Sequence, residues 1–492
     1  MRAGAAVAIA VLLAVTAAAS GRRAGTERPG AQLAVGYTNA AALTRAVTAA
    51  HGTVVRTLAP LRIAQVRGAD AGVLRRAAGI RSVQPVAARV AAGEPTTYAV
   101  GAPEWQFRAT HSDTVPDSVL RAAAAVTIAV IDTGADTSAP DIAAKSPVTW
   151  NTRTSTTDVR DTNGHGTFVA SVAAGSVTNN DGISGSGGDA QLLVIKSGSD
   201  GGSFTDMDEA AGITYAIDHG ARILNLSVGG PTTSTTERRA IQYAVDHGAL
   251  VIAAVGNEYA QKNPVEYPAA LLQPVGSNGV GGAGLAVTAS TADGRRAPFA
   301  NTGSWVSLAA PGEHVFGAVS SASSTLQYPR TPLPGAKSGL YGYASGTSFA
   351  APQVAGAAAL VWAANPSLTA QQVAEILKET ATGGGKWTSD LGWGVIDVAA
   401  AVARAQQGRS GVLLSGLRDK SRVRLTWSGD ATAYTLTETT DGRVTRTLLS
   451  ATQLTTVSLP LTKGHKYSFS VTALDVTGNA TATSTPLTFN VK

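Results

Sequence analysis

The sequence predicts an α/β protein: a mostly parallel sheet with helices on both faces, preceded by a small α+β unit and followed by a small all-β unit. Three observations carry this. Between residues 101 and 408, short apolar runs alternate with helical segments, the pattern of βαβ units. Before them, residues 31–91 read β-α-β-β-α-β, the split βαβ order of ferredoxin-like domains. After them, residues 412–492 are rich in Thr and Val, with alternating apolar positions and turn signals such as Asp441-Gly442. The 492 residues exceed one ordinary domain, and 44% hydrophobic against 15% charged suits a packed protein rather than a disordered one.

Taken in order, Met1-Arg2 and the Ala/Val/Leu run to Ala19 read as a secretory signal cut near Ala19 or Ser20, with an uncleaved anchor as the other reading. Residues 1–20 are assigned to this signal and 21–100 to the α+β unit. Within the unit, Gln32–Tyr37 is a predicted strand and Ala41–Ala50 a helix stopped by Gly52. Residues 54–66 make two strands joined near Pro60, 71–78 a short helix, and 80–90 one final strand. The large unit, 101–408, carries predicted strands at 127–131, 191–196, 222–228, 249–255 and 285–289. Its predicted helices are 165–174, 207–219, 239–247, 348–364 and 370–380. Gly-rich loops fill the interval from Asn257 to Ser348, notably Leu271–Gly284. Gly279-x-Gly281-x-x-Gly284 matches a dinucleotide fingerprint in letters only, because no strand precedes it and no helix follows. The all-β unit is 409–492. Its Val423–Trp427 and Tyr467–Ala473 runs resemble the tryptophan and tyrosine strands of fibronectin type III domains.

Composition excludes several classes. There is no Cys, so disulfides, thiol nucleophiles and thiolate metal sites are absent. The formal charge of +6 is uneven: eleven Arg against three acids give residues 21–95 a net +8, and with Arg2 that leaves −3 for the remainder. The basic charge sits on one small unit without an aromatic stacking surface, which argues against nucleic acid as a partner. The apolar stretch Val354–Ala364 is too short to span a bilayer, so no membrane anchor is expected after signal removal.

Four segments carry chemistry. Gly346-Thr347-Ser348-Phe349-Ala350-Ala351-Pro352 puts a serine at a predicted helix start, beside unpaired amides that can stabilise an oxyanion. Pro352 is read as falling where a first turn tolerates a missing N–H. The β-branched run Val126–Ile131 ends in Asp132-Thr133-Gly134, placing a carboxylate at the carboxyl end of a strand. His165 follows Gly164 and opens a helix, where the dipole favours the neutral imidazole a general base needs. A buried strand, Val251–Val255, leads into Gly256-Asn257.

In the chain order Asp, His, Ser, these segments resemble those of the subtilisin-like serine proteases, the subtilase family. The matches are Asp-Thr-Gly at Asp132, His-Gly-Thr-x-Val-Ala at His165 and Gly-Thr-Ser-x-Ala-x-Pro at Ser348. Val255 departs from the Ala more usual before Gly-Asn. The resemblance implies a subtilisin-like fold and a catalytic set of Asp132, His165 and Ser348, with the Asn257 side chain and the Ser348 N–H as oxyanion donors. It implies that Ser227 and Gly229 lie on the strand that pairs with substrate, and that Ala254 and Gly256 wall the S1 pocket. Their small size implies a roomy pocket of broad preference.

The resemblance extends to the flanks. The unit at 21–100 is similar to the inhibitor prodomain ahead of many subtilases, which assists folding and blocks the site with its C-terminal tail. Residues 92–104 are then the linker where self-cleavage occurs. Asp141 and the loop Asn179-Asn180-Asp181-Gly182 resemble a family calcium site and equally a plain surface turn. No metal ligand is assigned; a structural calcium is admitted, and the chemistry requires no cofactor. The expected product is a secreted, extracellular, monomeric endopeptidase whose partners are polypeptide substrates and its own prodomain. Two other classes stay open: a catalytically silent relative that binds through its C-terminal sandwich, and an esterase using the same triad.

Overall fold

The computed structural model describes residues 32–91, 104–407 and 412–491, apart from 430, 432, 476 and 477. The expected signal at 1–20 and nearly all of the expected linker lie outside the described residues.

A parallel seven-stranded sheet forms the centre, ordered Leu308–Pro311, Gly284–Ser290, Leu250–Ala254, Ile223–Leu226, Thr127–Asp132, Gln191–Lys196, Val148–Asn151. Side chains on a strand alternate between faces, so each apolar run feeds two cores. Ile128, Val130, Leu192, Val194, Ile252 and Val287 pack on one face against helices His165–Ala174 and Thr347–Ala364. Ala129, Ile131, Leu193, Ile195, Val251 and Ala253 pack on the other against helices Asp206–Asp218 and Thr235–Asp246. This is the expected sheet with helices on both faces. The short edge strands at 148–151 and 308–311, the hairpin Val315–Ala318 with Tyr341–Ala344, and helix Val398–Gln406 were not foreseen. All are too short or too uniform in composition to show a clear period.

Helix Thr347–Ala364 is buried along nearly its whole length. Its small residues allow that. A Cβ on Gly356 would stand 2.5 Å from the Gly187 nitrogen, so glycine permits backbone contact there. Pro352 is not in the first turn: it is the sixth residue of this helix. Proline interior to a helix deprives the carbonyl four residues earlier of its donor. That carbonyl belongs to Ser348, and the Ser227 hydroxyl donates to it instead, at 2.8 Å.

The N-terminal unit is an antiparallel sheet ordered Thr53–Leu58, Ile63–Arg67, Gln32–Tyr37, Ile80–Pro85, under helices Ala40–Ala49 and Ala71–Arg76. The strand expected over 80–90 breaks in two. Pro85 has no N–H for the ladder, and Ala87 is captured by the large unit. Its N–H donates to Asp206 Oδ1 at 2.9 Å, and its carbonyl accepts from the Asp206 N–H at 2.8 Å. The second piece, Ala88–Ala91, leaves its own sheet. It runs antiparallel between Ser203–Thr205 and Val228–Gly229 of the large unit. Two more contacts seat the unit on the starts of the two helices below it. Gln84 Oε1 accepts the otherwise orphan Thr235 N–H at 2.8 Å, and Arg56 pairs with Asp208 at 2.8 Å.

Past residue 411, two antiparallel sheets enclose Leu425, Trp427, Tyr434, Phe469, Val471 and Phe489. This all-β unit touches the large unit through Arg424–Asp246 (2.9 Å) and through Arg238, which donates to the Arg418 carbonyl at 2.9 Å.

Candidate active site

Asp132 ends the strand Thr127–Asp132, His165 opens its helix, Ser348 is the second residue of the buried helix, and Asn257 follows the strand Leu250–Ala254. Asp132 and Asn257 stand at the carboxyl ends of parallel strands, where open α/β sheets gather their sites, and His165 and Ser348 come to them from the starts of their helices. Asp132 Oδ1 meets His165 Nδ1 at 2.7 Å, and both side chains are almost fully buried. A carboxylate only accepts, so Nδ1 carries the proton and Nε2 of a neutral ring is the basic atom. The Thr133 N–H also donates to Asp132 Oδ1, at 2.7 Å.

Asp161 builds the turn before His165, a role the sequence reading missed. Its carboxylate accepts from Gly164 N–H (2.8 Å), Thr167 N–H (2.8 Å), Thr167 Oγ1 (2.6 Å) and Thr133 Oγ1 (2.9 Å). One buried acid thus ties the Asp132 strand end to the His165 helix start. Gly166 is required between them, because a Cβ there would fall 2.2 Å from the Gly134 carbonyl oxygen.

The His165 and Phe349 rings are 5.5 Å apart, which brings the imidazole beside the residue following Ser348. The Ser348 N–H is among the first amides of its helix, those without an intrahelical acceptor. Its Oγ donates to the Ser227 carbonyl at 3.2 Å. Ser227 returns the contact through its own hydroxyl and is itself held by Asn225 Nδ2 at 2.9 Å. The Ser227 side chain is therefore committed to Ser348.

Asn257 is oriented by what faces it. Thr347 N–H lies 2.9 Å and Thr347 Oγ1 3.0 Å from one amide atom. A backbone N–H can only donate, so that atom is the oxygen, and the NH2 points away from Thr347. A Cβ on Gly346 would lie 3.4 Å from Asn257 Nδ2, so the amide donors border the Gly346–Ser348 turn.

The remaining predicted residues separate. Gly229 pairs with Val90 of the N-terminal tail. Gly256 has φ +102° and precedes Asn257, as the turn requires. Ala254 is buried in the main core alongside Ile252. Glu266, absent from the sequence reading, reaches the back of both glycines: a Cβ on Gly229 would lie 2.3 Å from Glu266 Oε2, and one on Gly256 3.1 Å from its Cδ.

The loop that resembles a calcium site does not suit the ion. Asp141 Oδ1 accepts from the Ile183 N–H at 2.9 Å and Asp141 Oδ2 from the Tyr341 hydroxyl at 2.9 Å. A hard cation needs oxygen acceptors, whereas this carboxylate faces donors. A Cβ on Gly182 would fall 2.3 and 2.4 Å from its two oxygens, so the backbone already fills the space over it. Burial holds the Asp141 carboxyl above its ordinary range. Among the described residues no cluster of three or more His, Cys, Asp or Glu is arranged for a metal, and no helix is long and apolar enough to cross a membrane.

Comparison with known proteins shows the family. The Subtilase family (Peptidase S8) profile matches residues 123–394, more than half the chain. Thermitase of Thermoactinomyces vulgaris is 33% identical over 254 residues, 52% of this chain and 80% of thermitase. A thermophilic serine proteinase of Bacillus sp. (strain AK1) is 33% identical over 234 residues, 48% of this chain, which spans only 51% of that relative. Among solved structures, fervidolysin from Fervidobacterium pennivorans, a keratinolytic enzyme related to subtilisin, superposes with a TM-score of 0.66 at 22% identity. It covers 95% of this chain and 77% of its own, a likeness of fold. The chain belongs to the subtilase family.

Proposed function

We propose that this chain is a secreted serine endopeptidase made as a self-processed zymogen, with residues 1–20 as signal, 21–100 as inhibitory prodomain and 101–408 as catalytic domain. Residues 409–492 form a fibronectin type III-like sandwich. The observation that carries the reading is the buried 2.7 Å pair of Asp132 and His165 at the mouth of the Ser348 helix. In this scheme the Ser348 hydroxyl turns from Ser227 to His165. Its oxygen bonds to the peptide carbonyl carbon while Nε2 takes its proton. The oxyanion is held by the Ser348 N–H and the Asn257 amide. The C–N bond then breaks, the leaving amine receives the proton from His165, and water resolves the acyl-enzyme by the same route. Asp132 keeps the ring oriented and stabilises its charged form.

The seating of Ala88–Ala91 supports the zymogen. The tail lies along Val228–Gly229 as an extended substrate would, by main-chain pairing. Its direction runs from Thr205 toward Val228, the residue beside Ser227 and hence Ser348. The bond cut in maturation is therefore expected within two residues after Ala91, at the start of the expected linker 92–104, which ends the prodomain before residue 100 and leaves the rest of the linker on the enzyme. The net +8 of residues 21–95 against −3 for 96–492 favours the inhibitory complex.

A fluorophosphonate probe tests the reading. It labels the processed wild type and fails to label Ser348→Ala or His165→Ala. A wild type that resists the probe is a silent binding protein; one that hydrolyses small esters and leaves denatured casein intact is an esterase.

A further inference from the structure

Resting on the protease reading, the geometry points to Glu266 as the residue that selects a lysine or arginine side chain at P1. The strand Val228–Gly229 already carries an extended segment of the chain, Ala88–Ala91, which marks where a polypeptide lies. Gly256 is the residue before Asn257, the oxyanion donor of the proposed mechanism. A P1 side chain entering beside the scissile carbonyl passes between these two glycines. The Glu266 carboxylate backs Gly229 directly, with Oε2 2.3 Å from where a Cβ would stand, and it also reaches Gly256, where its Cδ lies 3.1 Å from a Cβ behind Asn301 Nδ2 and Glu258 Oε2.

The position of Glu266 is built rather than incidental. Its neighbour Tyr267 exchanges both backbone hydrogen bonds with Gly230, at 2.9 and 3.1 Å, which locks this segment to the end of the substrate strand. The Ala270 N–H donates to the Glu266 carbonyl at 2.9 Å and starts the short helix Ala269–Leu272. A side chain at 229 would collide with the Glu266 carboxylate, and one at 256 would meet Glu258 Oε2 at 2.7 Å and press on Glu266 Cδ at 3.1 Å. Glu266 is only 7% exposed, so a charge there acts through little water and discriminates strongly between cationic and anionic side chains. The other nearby acid, Glu258, is engaged differently: its Oε2 accepts the Asn257 N–H at 2.6 Å. Ala92 and Gly93, which follow the tail, carry no charge. Tethering supplies for that segment the effective concentration that a free substrate must gain from its P1 contact.

The test uses the processed full chain and tetrapeptide p-nitroanilides that differ only at P1. Wild type is expected to favour P1 Lys over P1 Glu by about 100-fold in kcat/KM, an effect of the size of one close charge pair with its repulsive counterpart. Glu266→Gln should lower the Lys-to-Leu ratio at least about tenfold, and Glu266→Asp should retain most of it. Equal rates on P1 Lys and P1 Glu in the wild type overturn the proposal without recourse to any variant. So does a Lys-to-Leu ratio that Glu266→Gln leaves unmoved. A wild type that cleaves no anilide of the set and resists the fluorophosphonate probe instead overturns the protease reading, and this assignment falls with it.

Discussion

Asn257 shows how one residue acquires a direction. Its oxygen is claimed by two Thr347 donors, so its NH2 faces away from Thr347 and borders Gly346, where a Cβ would lie 3.4 Å from Nδ2. Asn257→Ala should therefore reduce kcat by about 100- to 1,000-fold, the range observed on removing the corresponding donor of subtilisin, with little change in KM. Steady-state kinetics on a peptide anilide would check it, and a loss below tenfold would remove Asn257 from the oxyanion hole. Away from the site, burial pulls the Lys145 amine down to about 8, partly opposed by Asp189, while its Nζ donates to the Gly188 carbonyl at 2.9 Å. In the unfolded chain the amine keeps its proton to about pH 10.4. Between pH 8 and 10 the unfolded state then binds more protons, so this group makes stability rise with pH. In Lys145→Met that contribution disappears. The variant's Tm relative to wild type should fall steadily from pH 7.5 to 10; a constant difference would contradict the assignment. At this scale, Asp132, His165, Ser348 and Asn257 were legible because each closes a recognisable local pattern. The roles of Asp161 and Glu266 were not, nor was the contact of Ser227 with Ser348, although Ser227 was expected on the strand that pairs with substrate. Each acts on a backbone or side chain brought to it by the fold: Ser227 reaches Ser348 across 121 positions.

The helix Thr347–Ala364 is the element on which the site depends. It is apolar on all sides and made of small residues, so it sits close to the sheet and to the Ser186–Gly187 backbone. Gly356→Ala would drive a methyl to 2.5 Å from the Gly187 nitrogen and the Ser186 carbonyl carbon. Overpacking of this kind costs about 1–3 kcal/mol. Guanidinium unfolding should show a lower midpoint with an unchanged slope, and a neutral or stabilising effect would mean the contact is looser than described. Helices and interior strands were legible here from periodicity and β-branched runs. The sixth-residue placement of Pro352 was not, since it depends on the Ser227 hydroxyl replacing the donor that proline lacks. The break of the 80–90 strand was also hidden. The expectation of one strand passed over Pro85, which cannot donate to the ladder, and only the Asp206 carboxylate explains where the chain goes next.

For the whole molecule, the three units are joined by polar contacts at their borders and by shared burial: Leu58, Leu61 and Ile63 of the N-terminal unit and Leu417 of the all-β unit belong to the same buried cluster as Ile213, Ile241 and Leu271 of the large unit. The N-terminal unit rests on helix starts through Gln84, Ala87 and Arg56, and its tail pairs with Val228–Gly229, the strand proposed to carry substrate. The order of units was legible from composition and element order. Their docking was not, because it rests on single side chains meeting backbone groups far away in sequence. The central claim, that Ser348 both matures the chain and cleaves other polypeptides, is tested most directly by intact mass. The products of wild type and Ser348→Ala are compared alongside casein hydrolysis. The account predicts a wild type cut within two residues after Ala91 and active on casein, and a mutant that retains the N-terminal unit and is inert. Identical N-termini for the two, with no casein hydrolysis by either, would contradict it.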